Sequence, residues 1–292
     1  MKHLLAVFLV LFSTEYCARS APSRKRSPVV AEYVRKAKDA WRAEKYDQAL
    51  VQLDMAIGVD PGDAGLHNFH GVINLYFKGQ HPAARSDFAT AISLAPRWAF
   101  PYRNRGWSYF MQSQCDAALR DFQKTVDIEP SQGFPYFTMG VVHYYNRRYE
   151  EGSECFALGT DKDPSFTLNA IWRYLAEAKL GRQSREQLLS SGDGKAHHAE
   201  SNTISLLSGE MTIDAYLKDK LEVDGTSETA VPKPEWSTRH RKSEAHFWIG
   251  QRCLLMGEEA EARKHFKLSA RHGAATMCME AILSPKELSP LK

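Results

Sequence analysis

Three groups of residues have types that could do chemistry. His197 and His198 are adjacent, Glu200 follows two residues on, and Asp193 and Glu210 lie on either side. Imidazoles with carboxylates are the donors of a hydrolytic metal centre or of a general acid–base pair. The histidine pair has no Cys, Asp or third His at ligand spacing, Glu200 being the only nearby donor, so an exposed loop is the plainer reading. The second group is Cys115, Cys155, Cys253 and Cys278, which form no Cys-x-x-Cys motif and have no base placed beside them by spacing. They read as small apolar core residues rather than zinc ligands or nucleophiles. A disulfide between Cys115 and Cys155 stays open if the chain is exported. The third group is Arg103 with the aromatics around it. A guanidinium there would hold a carboxylate in a two-pronged ion pair, which is recognition rather than catalysis. There is no Gly-x-x-x-x-Gly-Lys phosphate loop, and Gly192-Asp193-Gly194 follows no strand. These residues point to a non-enzyme that needs no cofactor and no metal.

The elements that must position them follow one spacing rule. Phe88, Phe122 and Phe156 are 34 residues apart, as are Pro96, Pro130 and Pro164, and Pro61 stands 35 before Pro96. Within a block, Tyr102, Gly106 and Tyr109 recur at helical steps, then Ala118, Phe122 and Thr125 do so after a short turn. Small residues allow two helices to approach, the phenylalanine fills the wedge between them, and proline stops the second helix. By spacing and residue type the blocks resemble the tetratricopeptide (TPR) pattern. The expected fold is all-α, a TPR-type helical-hairpin solenoid of about four N-terminal repeats, a degenerate helical middle and one C-terminal repeat.

Composition bounds the rest. The 292 residues are 43% hydrophobic and 25% charged, which suits a packed soluble chain. Without residues 1–20 (Lys2, Arg19 and Glu15), the charge is 36 − 34 = +2, too weak to argue for nucleic acid or an anionic membrane. Lys2, the apolar run 4–12, and Ala18 and Ser20 before Ala21 read as a secretory signal over 1–20, too short to span a bilayer. An exported chain is expected. Acylation at Cys17 is the alternative that would tie it to a membrane, although Thr14-Glu15-Tyr16 departs from the small residues expected before an acylated cysteine. Arg24-Lys25-Arg26 reads as part of a flexible basic segment over 21–29.

Four repeats are expected at 30–63, 65–98, 99–132 and 133–166. Val72 stands where the pattern wants glycine, and Gly152 and Gly159 stand where it wants alanine. Residues 167–221 carry degenerate helical pairs, with Ser208 or Thr212 as a cap for the last. A loop is expected over 222–242, a C-terminal repeat with a final helix over 243–283, and an extended, mobile tail over 284–292.

A closer resemblance rests on the run Ile171-Trp172-Arg173-Tyr174-Leu175-Ala176-Glu177-Ala178-Lys179-Leu180, and on Phe247-Trp248-Ile249-Gly250, Leu254-Leu255-Met256-Gly257, Ala262 and His265-Phe266-Lys267-Leu268. In order and spacing these resemble the NlpI-type TPR lipoproteins of the bacterial envelope. The resemblance implies a homodimeric adaptor of the periplasm or cell envelope. Its protein partners would be cell-wall hydrolases and a tail-specific processing protease.

In such an array the first helices line a concave face. The expected peptide groove is Phe69, Ile73 and Tyr76, then Arg103, Trp107 and Phe110, then Phe137, Val141 and Tyr144. Aromatic and arginine side chains dominate binding energy at interfaces. The plainer reading is that aromatics at helical spacing are core. The rival function from another class is the recognition module of an exported hydrolase, with its chemistry in 190–242.

Overall fold

The computed structural model describes residues 25–182, 185–190, 198–222, 235–273 and 287. The expected signal at 1–20, Cys17, Cys278 and the expected final helix after 273 lie outside these residues. Among the described residues all regular structure is helical, and no helix is long and apolar enough to cross a membrane. The chain divides into two compact units at the Pro130–Ser131 junction.

The N-terminal unit is three helical hairpins. Helices α1 (Pro28–Arg42) and α2 (Tyr46–Val59) form the first, α3 (Ala64–Tyr76) and α4 (His81–Leu94) the second, α5 (Ala99–Met111) and α6 (Cys115–Ile128) the third. The second helices end at Val59, Leu94 and Ile128, two residues before Pro61, Pro96 and Pro130. Proline lacks the N–H that would continue the ladder, so the expected stop is where it falls. The small-residue stripe of each second helix is sealed: Ala49, Leu53 and Ala56, then Ala84, Phe88 and Ala91, are all fully buried.

The hairpin wedge explains the glycines. A Cβ on Gly106 would sit 2.6 Å from the Phe122 ring, and one on Gly71 would sit 2.7 Å from Phe88. Gly71, not Val72, therefore fills the glycine position of the second repeat. The offset has a plain cause. The turn between α3 and α4 holds residues 77–80, whereas the turns at 43–45 and 112–114 are one residue shorter. The extra residue shifts α3 back by one relative to α4, and Gly79, at φ +64°, takes the left-handed position in that turn. The same register places His70 against Asp87 at 2.8 Å and Arg105 against Asp121 at 2.8 Å, each pair tying the two helices of a hairpin together.

The C-terminal unit begins with a fourth hairpin, α7 (Gly133–Tyr145) and α8 (Tyr149–Lys162), and α9 (Leu168–Lys179) packs on it. The short helices α10 (Arg185–Ser190), α11 (His198–Ser208) and α12 (Ile213–Glu222) follow, and a last hairpin is formed by α13 (Glu235–Leu255) and α14 (Glu259–Gly273). Thr212, not Ser208, caps α12, accepting from the Ala215 amide at 3.2 Å. Helix α13 starts at Glu235, so the last eight residues of the expected 222–242 loop are helical. The wedge recurs here: a Cβ on Gly140 would sit 2.5 Å from Phe156, and one on Gly250 would sit 2.7 Å from Phe266. Gly159 has a different reason from the one expected of a weakened helix. Its missing Cβ leaves room for the buried Asn169 side chain, whose amide donates to the Gly133 carbonyl at 3.3 Å.

Candidate functional site

The first helices of the hairpins carry the expected groove residues, and each unit places its own set. In the N-terminal unit Phe69 is half-buried, while Ile73, Tyr76, Arg103, Trp107 and Phe110 are buried. Trp107 packs edge-on against Phe110 at 5.5 Å and against Phe122, the wedge residue, at 5.4 Å. Arg103 lies over the Phe100 ring at 4.2 Å. Its charge also opposes the upward push that burial gives the Glu129 carboxyl, so a carboxylate of the same unit lies within its field. The Tyr76 hydroxyl and the Trp107 indole N–H are buried and have no hydrogen-bond partner among the described residues. Burial raises the Tyr76 hydroxyl well out of its usual titration range, with Arg103 opposing. This inner face is packed aromatic surface with two polar tips, not the open aromatic groove that its spacing suggested. A three- and four-residue stripe on a first helix faces its hairpin partner as much as solvent.

In the C-terminal unit Phe137, Val141 and Tyr144 are also buried, and the reason is Trp172. That indole, wholly buried on α9, lies 6.2 Å from Phe137, 5.3 Å from Tyr144, 6.2 Å from Phe156 and 5.8 Å from both Phe247 and Trp248. Trp172 is thus the core hub of this unit.

One polar contact breaks the apolar pattern. Glu287 is 6% exposed, and its carboxylate accepts from the Tyr144 hydroxyl and from the Lys179 ammonium, both at 2.9 Å. Burial first, then the Glu287 charge, pushes the Tyr144 hydroxyl well above its usual range, with Gln251 opposing. Glu287 belongs to the stretch expected to be a mobile tail; at this residue it is held by two donors. Lys179 and Glu287 carry no spacing signal. The only hint in sequence is that Lys179 ends an otherwise apolar stripe on α9.

The remaining candidates come apart. Glu210 lies near Arg185 at 3.6 Å, both side chains being exposed. Asp193 and His197 lie outside the described residues, as do the side chains of His198 and Glu200. Among the described residues no set of three His, Cys, Asp or Glu is placed to hold a metal ion. Cys115, Cys155 and Cys253 carry free thiols. Burial pushes the thiols of Cys155 and Cys253 up to about 11, which keeps them protonated and poor nucleophiles.

No protein-family profile and no curated protein matches the sequence. Among solved structures the chain is similar to a tetratricopeptide repeat protein from Parabacteroides merdae, with a TM-score of 0.55 at 15% identity, over 90% of this chain and 100% of that one. The fold is of the TPR type. A fragment of MamA from Desulfovibrio magneticus gives 0.51 at 16% identity, over 57% of this chain and 95% of that one. Pseudomonas aeruginosa PilF gives 0.50 at 12% identity, over 87% and 95%. At these identities the likeness is one of fold, and function must be argued from the site.

Proposed function

We propose that the chain is a non-catalytic adaptor that binds other proteins. The observation that supports this best is the TPR-type fold, an array of helical hairpins similar to that of solved repeat proteins. Repeat arrays of this kind bury one flank of each hairpin against the next and leave a lengthwise surface for a foreign backbone. By resemblance to the NlpI-type lipoproteins, the adaptor works in the bacterial envelope after export, with residues 1–20 as the signal. It acts as a homodimer that brings cell-wall hydrolases to a processing protease.

Three measurements test the parts separately. Tagged full-length chain in an envelope extract should co-purify with a wall hydrolase, and recovery of only cytosolic chaperones would defeat the adaptor reading. The mass of the mature N-terminus should match a chain starting at Ala21; a mass carrying acyl chains on Cys17 would replace the secretory cut with a lipid anchor. Sedimentation at micromolar concentration should give twice the monomer mass, and a strict monomer would remove the homodimer.

A further inference from the structure

We infer that His246 and His265 form a two-imidazole site for a divalent transition-metal ion of square-planar or tetragonal preference, the class of Ni(II) and Cu(II). The inference goes beyond the adaptor reading and does not depend on it.

The last hairpin brings the two rings together. His246 lies on α13 and His265 on α14, with their Nδ1 atoms 3.0 Å apart, ring centres 5.1 Å apart and planes inclined at 44°. The backbone that carries them is held on both sides. The Ser243 hydroxyl, one turn before His246, donates at 2.9 Å to the carbonyl of Ser269, one turn after His265. Beside the pair Phe247 and Phe266 are fully buried, and Gly250 closes on the Phe266 ring. The two ligands are therefore positioned before an ion arrives, which is the condition for a chelate.

The separation selects the ion. Two metal–nitrogen bonds of about 2.0–2.1 Å whose ends lie 3.0 Å apart subtend roughly 90–100° at the metal. That is the angle between neighbouring ligands of a tetragonal ion, whereas a tetrahedral Zn(II) would want the nitrogens roughly 3.3–3.4 Å apart. Imidazole suits nickel and copper; magnesium and calcium need oxygen donors. Burial lowers both rings, so at neutral pH both are uncharged, as ligation requires. On binding, the ring that donates through Nδ1 passes that proton to its own Nε2 by way of solvent, and both Nδ1 lone pairs turn to the ion. The pair keeps its two protons, and two metal bonds replace the hydrogen bond between the rings. The charges facing the pair are mixed. Lys242 of α13 and Lys264 of α14 oppose a cation, and Glu261 of α14 favours one. His272 stacks on His246 at 15° between planes, so its nitrogens do not aim at the same point. Among the described residues no third donor joins the two. The other positions on the ion fall to water, which reaches it on the side of half-buried His246.

The test uses the full-length chain without a histidine tag, with nickel chloride as the probe because Cu(II) would oxidise the free thiols. Every chain carries His3→Ala, which stops the amino terminus from chelating nickel through its third residue. In calorimetry His246→Phe and His265→Phe should each lose about tenfold or more in Ni(II) affinity, since removing one ring ends the chelate. His272→Phe should bind as wild type does. Zn(II) should bind wild type more weakly than Ni(II). Ni(II) is paramagnetic, so in wild type itself the imidazole resonances of His246 and His265 should broaden ahead of those of the other histidines, a readout that needs no variant at the site. Equal Ni(II) affinity for wild type and both site variants overturns the proposal, as does broadening that begins at other histidines. Tighter binding of Zn(II) than of Ni(II) overturns the assigned ion class.

Discussion

Acidification from pH 7.5 to 5.0 should weaken the C-terminal unit through His246. This half-buried ring on α13 faces the His265 ring of α14 with the two Nδ1 atoms 3.0 Å apart, and stacks on His272 at 5.7 Å between ring centres. The Nδ1 contact needs one ring to donate and the other to accept, so at least one ring must be neutral. Burial first, then the charges of His265, His272, Lys242 and Lys264, pushes the His246 imidazole from 6.5 down to about 4. Burial also lowers His265. The folded value of a base is thus depressed. The unfolded chain takes up the proton first, and the stability present above pH 6.5 is lost as pH falls toward 4. Linkage between a folded value of about 4 and an unfolded value of 6.5 gives roughly 2 kcal/mol lost by pH 5. Halving this for solvent around a half-exposed ring leaves about 1 kcal/mol. Urea unfolding of the full chain at the two pH values should therefore show wild type losing about 1 kcal/mol more than His246→Phe, which keeps a ring but cannot titrate. The His246 imidazole resonance should titrate well below the ordinary range, as part of a coupled pair with His265. Parallel pH dependence of the two chains, with a His246 midpoint at its ordinary value, would refute the reasoning.

The other predictions concern packing and one further titration. Phe122→Ala should cost about 3–5 kcal/mol, because the ring is fully buried and Gly106 and Trp107 close on it; unchanged thermal stability would break the hairpin register. Gly159→Ala should destabilise by about 1–3 kcal/mol, since its Cβ would fall 2.5–2.6 Å from the Asn169 amide. Gly152→Ala should stabilise by up to about 0.5–1 kcal/mol, because its nearest neighbour would lie at an ordinary 3.4 Å and alanine is the better helix former. Thermal unfolding that gave both glycine variants the same sign would contradict the packing described. Burial lowers the His70 imidazole, but the Asp87 hydrogen bond and the Asp87 and Asp54 charges outweigh it, leaving a raised value. Its contribution is complete below pH 6.5 and fades as pH rises through the raised folded value, so the stability gap between wild type and His70→Gln should narrow from pH 6 to 9.

The hairpins were legible because a 34-residue period and its prolines are local, and each proline sits two residues past a helix end. Position inside the period was less legible. Val72 occupies the glycine slot by counting, yet Gly71 fills it in space, because one extra turn residue moved one helix and not the other. Exposure was hardest to read. Tyr76, Trp107 and Tyr144 sit on first helices at the spacing of a binding stripe, and all three are buried. Periodicity states which residues share a face but not what covers it, and here the cover comes partly from Trp172, in a segment outside the repeats. Glu287 is the extreme case. Its partners are Tyr144 and Lys179, at sequence separations of 143 and 108, and no helical step connects them. A repeat array built from near-identical hairpins has little to distinguish one partner from another. In the C-terminal unit the buried Glu287 carboxylate between α7 and α9 is a residue that breaks the repeat.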